Sequence, residues 1–196
     1  MAPVHPAGSR VDISATCARL RRVRTRKDLA EALCREITRY TLHDLQRLRG
    51  IVERDLRHVP AHYRQKLYPK TMEQIFGTHH TMVAFCRSGS AANLHGEADA
   101  KFLDFCSMVE RASLAQETEE RRELELLYYL LAGFAIFVLG RPAHAAGTPF
   151  PGGLQVEERD GVFFCPIRDR EDDVETAICP FCPAKPSDHN RLPPPG

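Results

Sequence analysis

Neither sign of charge dominates this chain of 196 residues: 27 Lys and Arg stand against 26 Asp and Glu, a formal net charge of +1. That excludes a globally basic nucleic-acid coat and an acidic, disordered solvating chain. A long hydrophobic run is also missing. The longest is Leu126–Leu139, LLYYLLAGFAIFVL, 14 residues, where a bilayer span needs about 17–25. Its length is that of a buried core helix. The opening MAPVHPAGSRVDISATCARL contains no apolar core of a signal peptide, so export is not expected and the thiols are expected to stay reduced. The seven cysteines are odd in number, which fits poorly with a fully paired secreted framework. No internal repeat is present, and no H-E-x-x-H, G-x-S-x-G, P-loop or G-x-G-x-x-G motif.

What is present reads as one globular domain with a small appendage. Hydrophobic residues make up 43% of the chain and charged residues 27%. A chain of this length buries roughly 70% of its unfolded surface and needs no disulfide scaffold to fold. Residues 1–27 carry Pro, Gly and Ser without a period and then the basic run RLRRVRTRK, Arg19–Lys27; they read as a flexible basic arm. Residues 28–140 read as a helical body of about five helices. Leu29, Leu33, Ile37 and Tyr40 share one helix face. Thr41, with Asp44 in the first turn, caps a second helix whose stripe is Leu45, Leu48, Val52 and Leu56. A third, kinked at Pro69 and doubtful past Gly77, holds Tyr63, Leu67, Met72, Ile75 and Phe76. Ser88–Asp99 is a loop by composition, followed by a face of Phe102, Leu103, Cys106 and Val109. Thr118 opens the apolar helix with an acidic first turn, and Gly140 followed by Pro142 ends it. Phe134, Phe137, Tyr128 and Tyr129 are core residues of that helix, which is apolar nearly all round and so surrounded by the others.

The texture changes at residue 141. HAAGTPFPGG is rich in Pro and Gly; LQVEE, RDG and VFFCPI then read as a β-hairpin, and ICPFCPAK follows an acidic stretch. Residues 187–196 read as a disordered tail. The fold class is therefore mainly α, with a small C-terminal β-hairpin and cysteine knob over 141–186. Charge is uneven: residues 1–60 hold 13 Lys/Arg and 7 Asp/Glu, and residues 97–130 hold 4 and 9.

The strongest chemical signal is Cys165-Pro, then Cys179-Pro-Phe-Cys182-Pro. Two thiolates two residues apart chelate one ion through a tight turn, and a third at a strand end closes much of a tetrahedron. Thiolates are soft donors and favour Zn²⁺, with an iron–sulfur cluster as the alternative; the Cys-Pro steps suit both. The segment has too few apolar residues for a core of its own. His144 is the first choice for fourth ligand, Cys106 and Cys86 are the alternatives, and His189 in the tail is the last.

The run from Gly140 to Lys185 resembles the C-terminal signature of an uncharacterised protein family of methanogenic archaea, family 0305, which carries the domain of unknown function 2115. His144, Gly147, Pro149, Phe150, Pro151, Gly152, Gly153, Cys165, Cys179 and Cys182 fit its pattern. Ala145 stands where the family more often has Pro. The front-half stretch LRGIVERDLRHVPAHYRQ is similar too. The resemblance implies a cytoplasmic archaeal protein and no particular activity, and it supports His144 as a site residue.

Three functions compete. One is an accessory, partner-binding protein with a structural zinc knob. The second is an iron–sulfur, redox or metal-handling protein using the same cysteines. The third is a zinc hydrolase or deaminase with Glu97, Glu157 or Asp160 as base, His95-Gly-Glu97 being its weak motif. The expected partner is another protein. Arg19–Lys27 could contact nucleic acid, but lacks interleaved aromatics. His79-His80 reads as a surface pair. No catalytic residue is assigned.

Overall fold

The computed structural model describes residues 11–168 and 174–187. Six α-helices precede five short strands: α1 (Ile13–Leu20), α2 (Arg26–Ile37), α3 (Leu42–Asp55), α4 (Ala61–Arg87), α5 (Lys101–Leu114), α6 (Glu119–Gly133), then β1 (Pro149–Phe150), β2 (Leu154–Gln155), β3 (Glu157–Arg159), β4 (Val162–Cys165) and β5 (Lys185–Pro186). The fold is mainly α, as the periodicity predicts.

Local signals set the helix ends. Thr41 and Asp44 form a reciprocal capping box on α3, Thr25 caps α2 through the amide of Asp28, and Thr118 caps α6 through that of Arg121. The apolar run lies at the centre. Leu126, Leu127, Leu130 and Phe134 are at most 1% exposed, and α6 touches all five other helices. Its last turn widens into a π-helix, Phe134–Val138, before Gly140 leaves in the left-handed conformation. Among the described residues no helix is long and apolar enough to cross a membrane.

Two expectations are corrected here. The arm over 1–27 is not loose throughout: Asp12 caps α1, which buries Ile13, Thr16, Cys17 and Leu20 mainly against α5. With only eight residues, α1 shows too little of a period to stand out in the sequence. The third helix does not end at Gly77; α4 runs 27 residues through Pro69 and Gly77. Burial of Ile75, Thr78 and Met82 on one face holds it together against the two weak points.

A disulfide joins Cys34 of α2 to Cys86 at the end of α4. This overturns the expectation that all the thiols are free. The remaining cysteines, 17, 106, 165, 179 and 182, are not part of a disulfide.

Candidate functional site

The C-terminal knob is built on backbone pairing around a small core of Val156, Cys165 and Ala184. The hairpin is β3–β4, closed by Asp160 and Gly161, both at positive φ, the signature of a tight two-residue turn. Leu154–Gln155, which the sequence placed in that hairpin, pairs instead with β1. β5 lies parallel to β4, with Cys165 opposite Pro186. A two-residue strand that includes a proline gives no sequence signal, so this pairing was not expected. It returns the segment after Cys182 to the end of β4, so Cys165 and Cys182 join one small cluster with Val156 and Ala184.

The helical body grips the knob at several points. The ring of Phe181 meets Phe105 edge-on, centroids 5.3 Å apart, and Ile178 is part of the main core. Tyr129 donates its hydroxyl to the carbonyl of Thr176 (3.0 Å), and Tyr63 to that of Pro149 (2.7 Å).

The backbone turns directly after Cys165, the amide of Arg168 donating to the Cys165 carbonyl (3.4 Å). Burial pushes the Cys165 thiol above its ordinary range, outweighing the backbone N–H groups of Ile167 and Arg168 and the Arg168 charge, which act to lower it. Cys179 opens a 3-10 turn, Cys179–Phe181, in which the amide of Cys182 donates to the carbonyl of Cys179 (3.1 Å). Pro180 fits the turn's first positions, where its missing N–H costs nothing. Cys179 is 7% exposed and shares the wall of a cavity of about 580 Å³ with His144, Tyr128, Tyr129 and Phe150. The His144 ring stands edge-on to Phe150 at 5.8 Å, and burial lowers its pKa, favouring the neutral imidazole.

The expected ligands are thus brought to one knob in two groups, Cys165 with Cys182, and Cys179 with His144. Among the described residues no three His, Cys, Asp or Glu side chains are gathered closely enough to hold a metal ion. Cys86 drops out as a fourth ligand because its sulfur is bonded to Cys34. Cys106, 1% exposed in α5, lies in the body; burial above all, with Cys17 next, pushes its thiol up to about 12. His189 lies outside the described residues. Of the proposed bases, Glu97 sits in a backbone bridge with Thr25, Glu157 is paired with Arg159, and Asp160 is a turn residue.

The class of protein that these features define is a helical body carrying a cysteine-bearing β knob. The chain belongs to the family described as an uncharacterized protein conserved in archaea (DUF2115), whose profile matches residues 25–187. A UPF0305 protein of Methanocaldococcus jannaschii is 22% identical over 161 residues, covering 81% of this chain and 94% of that protein. One from Methanothermobacter thermautotrophicus is 46% identical over 54 residues, 28% of this chain and 35% of the relative. One from Methanopyrus kandleri is 40% identical over 72 residues, 36% of this chain and 51% of the relative. No solved structure matches.

Proposed function

We propose that this chain is a cytoplasmic accessory protein that binds a protein partner, with its C-terminal knob cross-linked by a metal. Cys165, Cys179 and Cys182 would hold the ion, with His144 as the fourth donor. The observation that carries the reading is the pairing of β5 with β4, which returns the segment after Cys182 to the end of β4 and sets Cys182 against the cluster that holds Cys165. The donor set fits a soft divalent ion, and Cys165 and Cys182 already share one cluster. Zn²⁺ is the favoured ion, and its role is structural, since four protein donors leave no position for substrate. An iron–sulfur cluster on the same cysteines is the second reading, favoured by proline after each of the three.

The test is zinc and iron content of the intact protein purified without oxygen, beside Cys179→Ser. One zinc per chain, lost in the variant, is the expected result. Metal-free wild type refutes the metal; several irons with sulfide select the second reading.

A further inference from the structure

The basic residues that stand out in the sequence, Arg19–Lys27, are largely engaged. Arg19 donates to Glu36 (2.9 and 3.1 Å), Arg21 pairs with Glu110, Arg24 donates to the carbonyls of Arg21 and Val23, and Lys27 lies 3.9 Å from Glu31. Free positive charge collects elsewhere, at the corner where α3 passes through a 3-10 turn, Leu56–His58, into α4. Residues 49–70 hold six Lys/Arg against two Asp/Glu. Both acids are already satisfied. Glu53 accepts from Arg49 Nε (2.9 Å) and Tyr68 Oη (2.5 Å), and Asp55 accepts two bonds from Arg121 (3.0 and 2.8 Å). Among the described residues Arg54, Arg57, Arg64 and Lys66 make no ion pair within 4 Å, although the Arg57 charge acts on Glu53.

A cleft of about 420 Å³ opens at this corner. Leu56, Tyr68 and Pro69 give it an apolar wall; Arg57, Arg64 and Gln65 give it donors; Glu53 also lines it, its carboxylate taken up by Arg49 and Tyr68. Arg64 is held across the turn, its Nη1 bonded to the carbonyls of Leu56 (3.5 Å) and Arg57 (3.1 Å), which leaves its other N–H groups for a ligand. Tyr68 is likewise fixed, since its hydroxyl donates to Glu53 and accepts from Arg49 Nε (2.8 Å). α4 enters here with Pro60 at its N-cap, no side-chain cap and no acidic residue in its first turn. The positive end of a 27-residue helix therefore adds to the field rather than being cancelled locally.

From these placements we propose that the α3–α4 cleft binds a nucleotide, with Arg57 and Arg64 on the phosphate and Tyr68 with Pro69 against the base. Paired guanidiniums match phosphate oxygens in a fixed fork, and a ring whose orientation is already set stacks a base of any identity. The same chemistry is offered by a free mononucleotide or by one unit of a single-stranded RNA. The inference does not rest on the cysteine knob.

The test uses the intact protein with adenosine monophosphate, inorganic phosphate and a fluorescent single-stranded RNA oligomer, at low and physiological salt. Arg57→Gln/Arg64→Gln is the variant, Arg22→Gln/Arg26→Gln the control on the other basic segment, and circular dichroism checks that both fold. The expected result is salt-sensitive binding of nucleotide or RNA, weakened by about tenfold or more in the cleft variant. The control should bind as the wild type does. Weakening in Tyr68→Ala for nucleotide but not for phosphate places the base on that ring. Binding of the mononucleotide identifies a free ligand; binding of RNA alone identifies a strand. No binding of either at about 1 mM, or an equal loss in the control, overturns the proposal.

Discussion

Removing the Cys34–Cys86 disulfide should cost this protein a large part of its stability. The bond joins residues 52 apart. On the chain-entropy account, such a cross-link takes about 14 cal/mol/K from the unfolded ensemble, or about 4 kcal/mol at 25 °C. Each kcal/mol moves the melting midpoint of a domain this size by about 2–4 °C. Reduction, or Cys34→Ala/Cys86→Ala, should therefore lower the midpoint by about 8–16 °C. Both cysteines are only half-buried, so alanine leaves little cavity and the loss is chiefly one of loop closure. Thermal unfolding followed by circular dichroism, with chelator present and with or without a phosphine reductant, measures the shift. Reduced wild type and the unreduced double variant should melt together, and reductant should do nothing further to the variant. Thiol titration of the denatured, unreduced chain should find five of the seven cysteines. Seven titrating thiols, or a wild-type midpoint indifferent to reductant, would refute the cross-link.

Gly133→Ala should destabilise by about 1–3 kcal/mol, because a Cβ there would lie 2.8 Å from Phe105 Cε1 and that ring is boxed in by Phe102, Phe137 and Phe181; a raised urea midpoint would contradict the packing. Phe181→Ala should remove about 1.5–3 kcal/mol of docking energy and show in hydrogen exchange as faster amides over 178–187, with those of α2 unchanged. A uniform acceleration would mean that the knob does not open separately. Glu36, 4% exposed, is pushed up by burial, but the guanidiniums of Arg19 and Arg39 outweigh this and hold its pKa below the ordinary carboxylate value. A depressed folded pKa stabilises above the unfolded value of about 4.3 and is lost as pH falls through the folded one. Wild type should thus exceed Glu36→Gln by about 1–2 kcal/mol at neutral pH, the arginines being over a third exposed. The gap should close in acid; one that persists unchanged there would sink the assignment.

The parts of the fold that could be read from the sequence are those where local chemistry and packing agree. Thr41 with Asp44, Thr118 before its acidic turn and Gly140 at the helix exit each hold an orphan backbone group or a special dihedral, and each marks a boundary within a residue or two. The apolar stretch after Leu124 admitted only a central position. What could not be read depends on distant partners. α1 is ordered by α5, ninety residues on; β5 is a strand only because β4 accepts it; and Cys34 and Cys86 carry no mark that distinguishes them from the other cysteines. Composition could place Cys165, Cys179 and Cys182 on one knob. It could not show that His144 and Cys179 would share a cavity wall apart from the Cys165–Cys182 cluster, because that follows from how Phe181 and Tyr129 hold the C-terminal turn. The basic cleft went unread for the opposite reason: its charges are diluted along 49–70, and only the pairing of Glu53 with Arg49 and Tyr68 and of Asp55 with Arg121 leaves Arg57 and Arg64 outside any close ion pair.

The parallel pairing of β4 with β5 sets an order of assembly. All six helices precede both strands in the chain, and the central helix and the disulfide lie among them. During synthesis the body can therefore close on itself while the segment that completes the knob has yet to appear. Until Lys185 and Pro186 reach β4 and Phe181 seats against Phe105, β4 lacks its partner along one edge. Closing the knob thus waits on a body that already presents Phe105 to receive it.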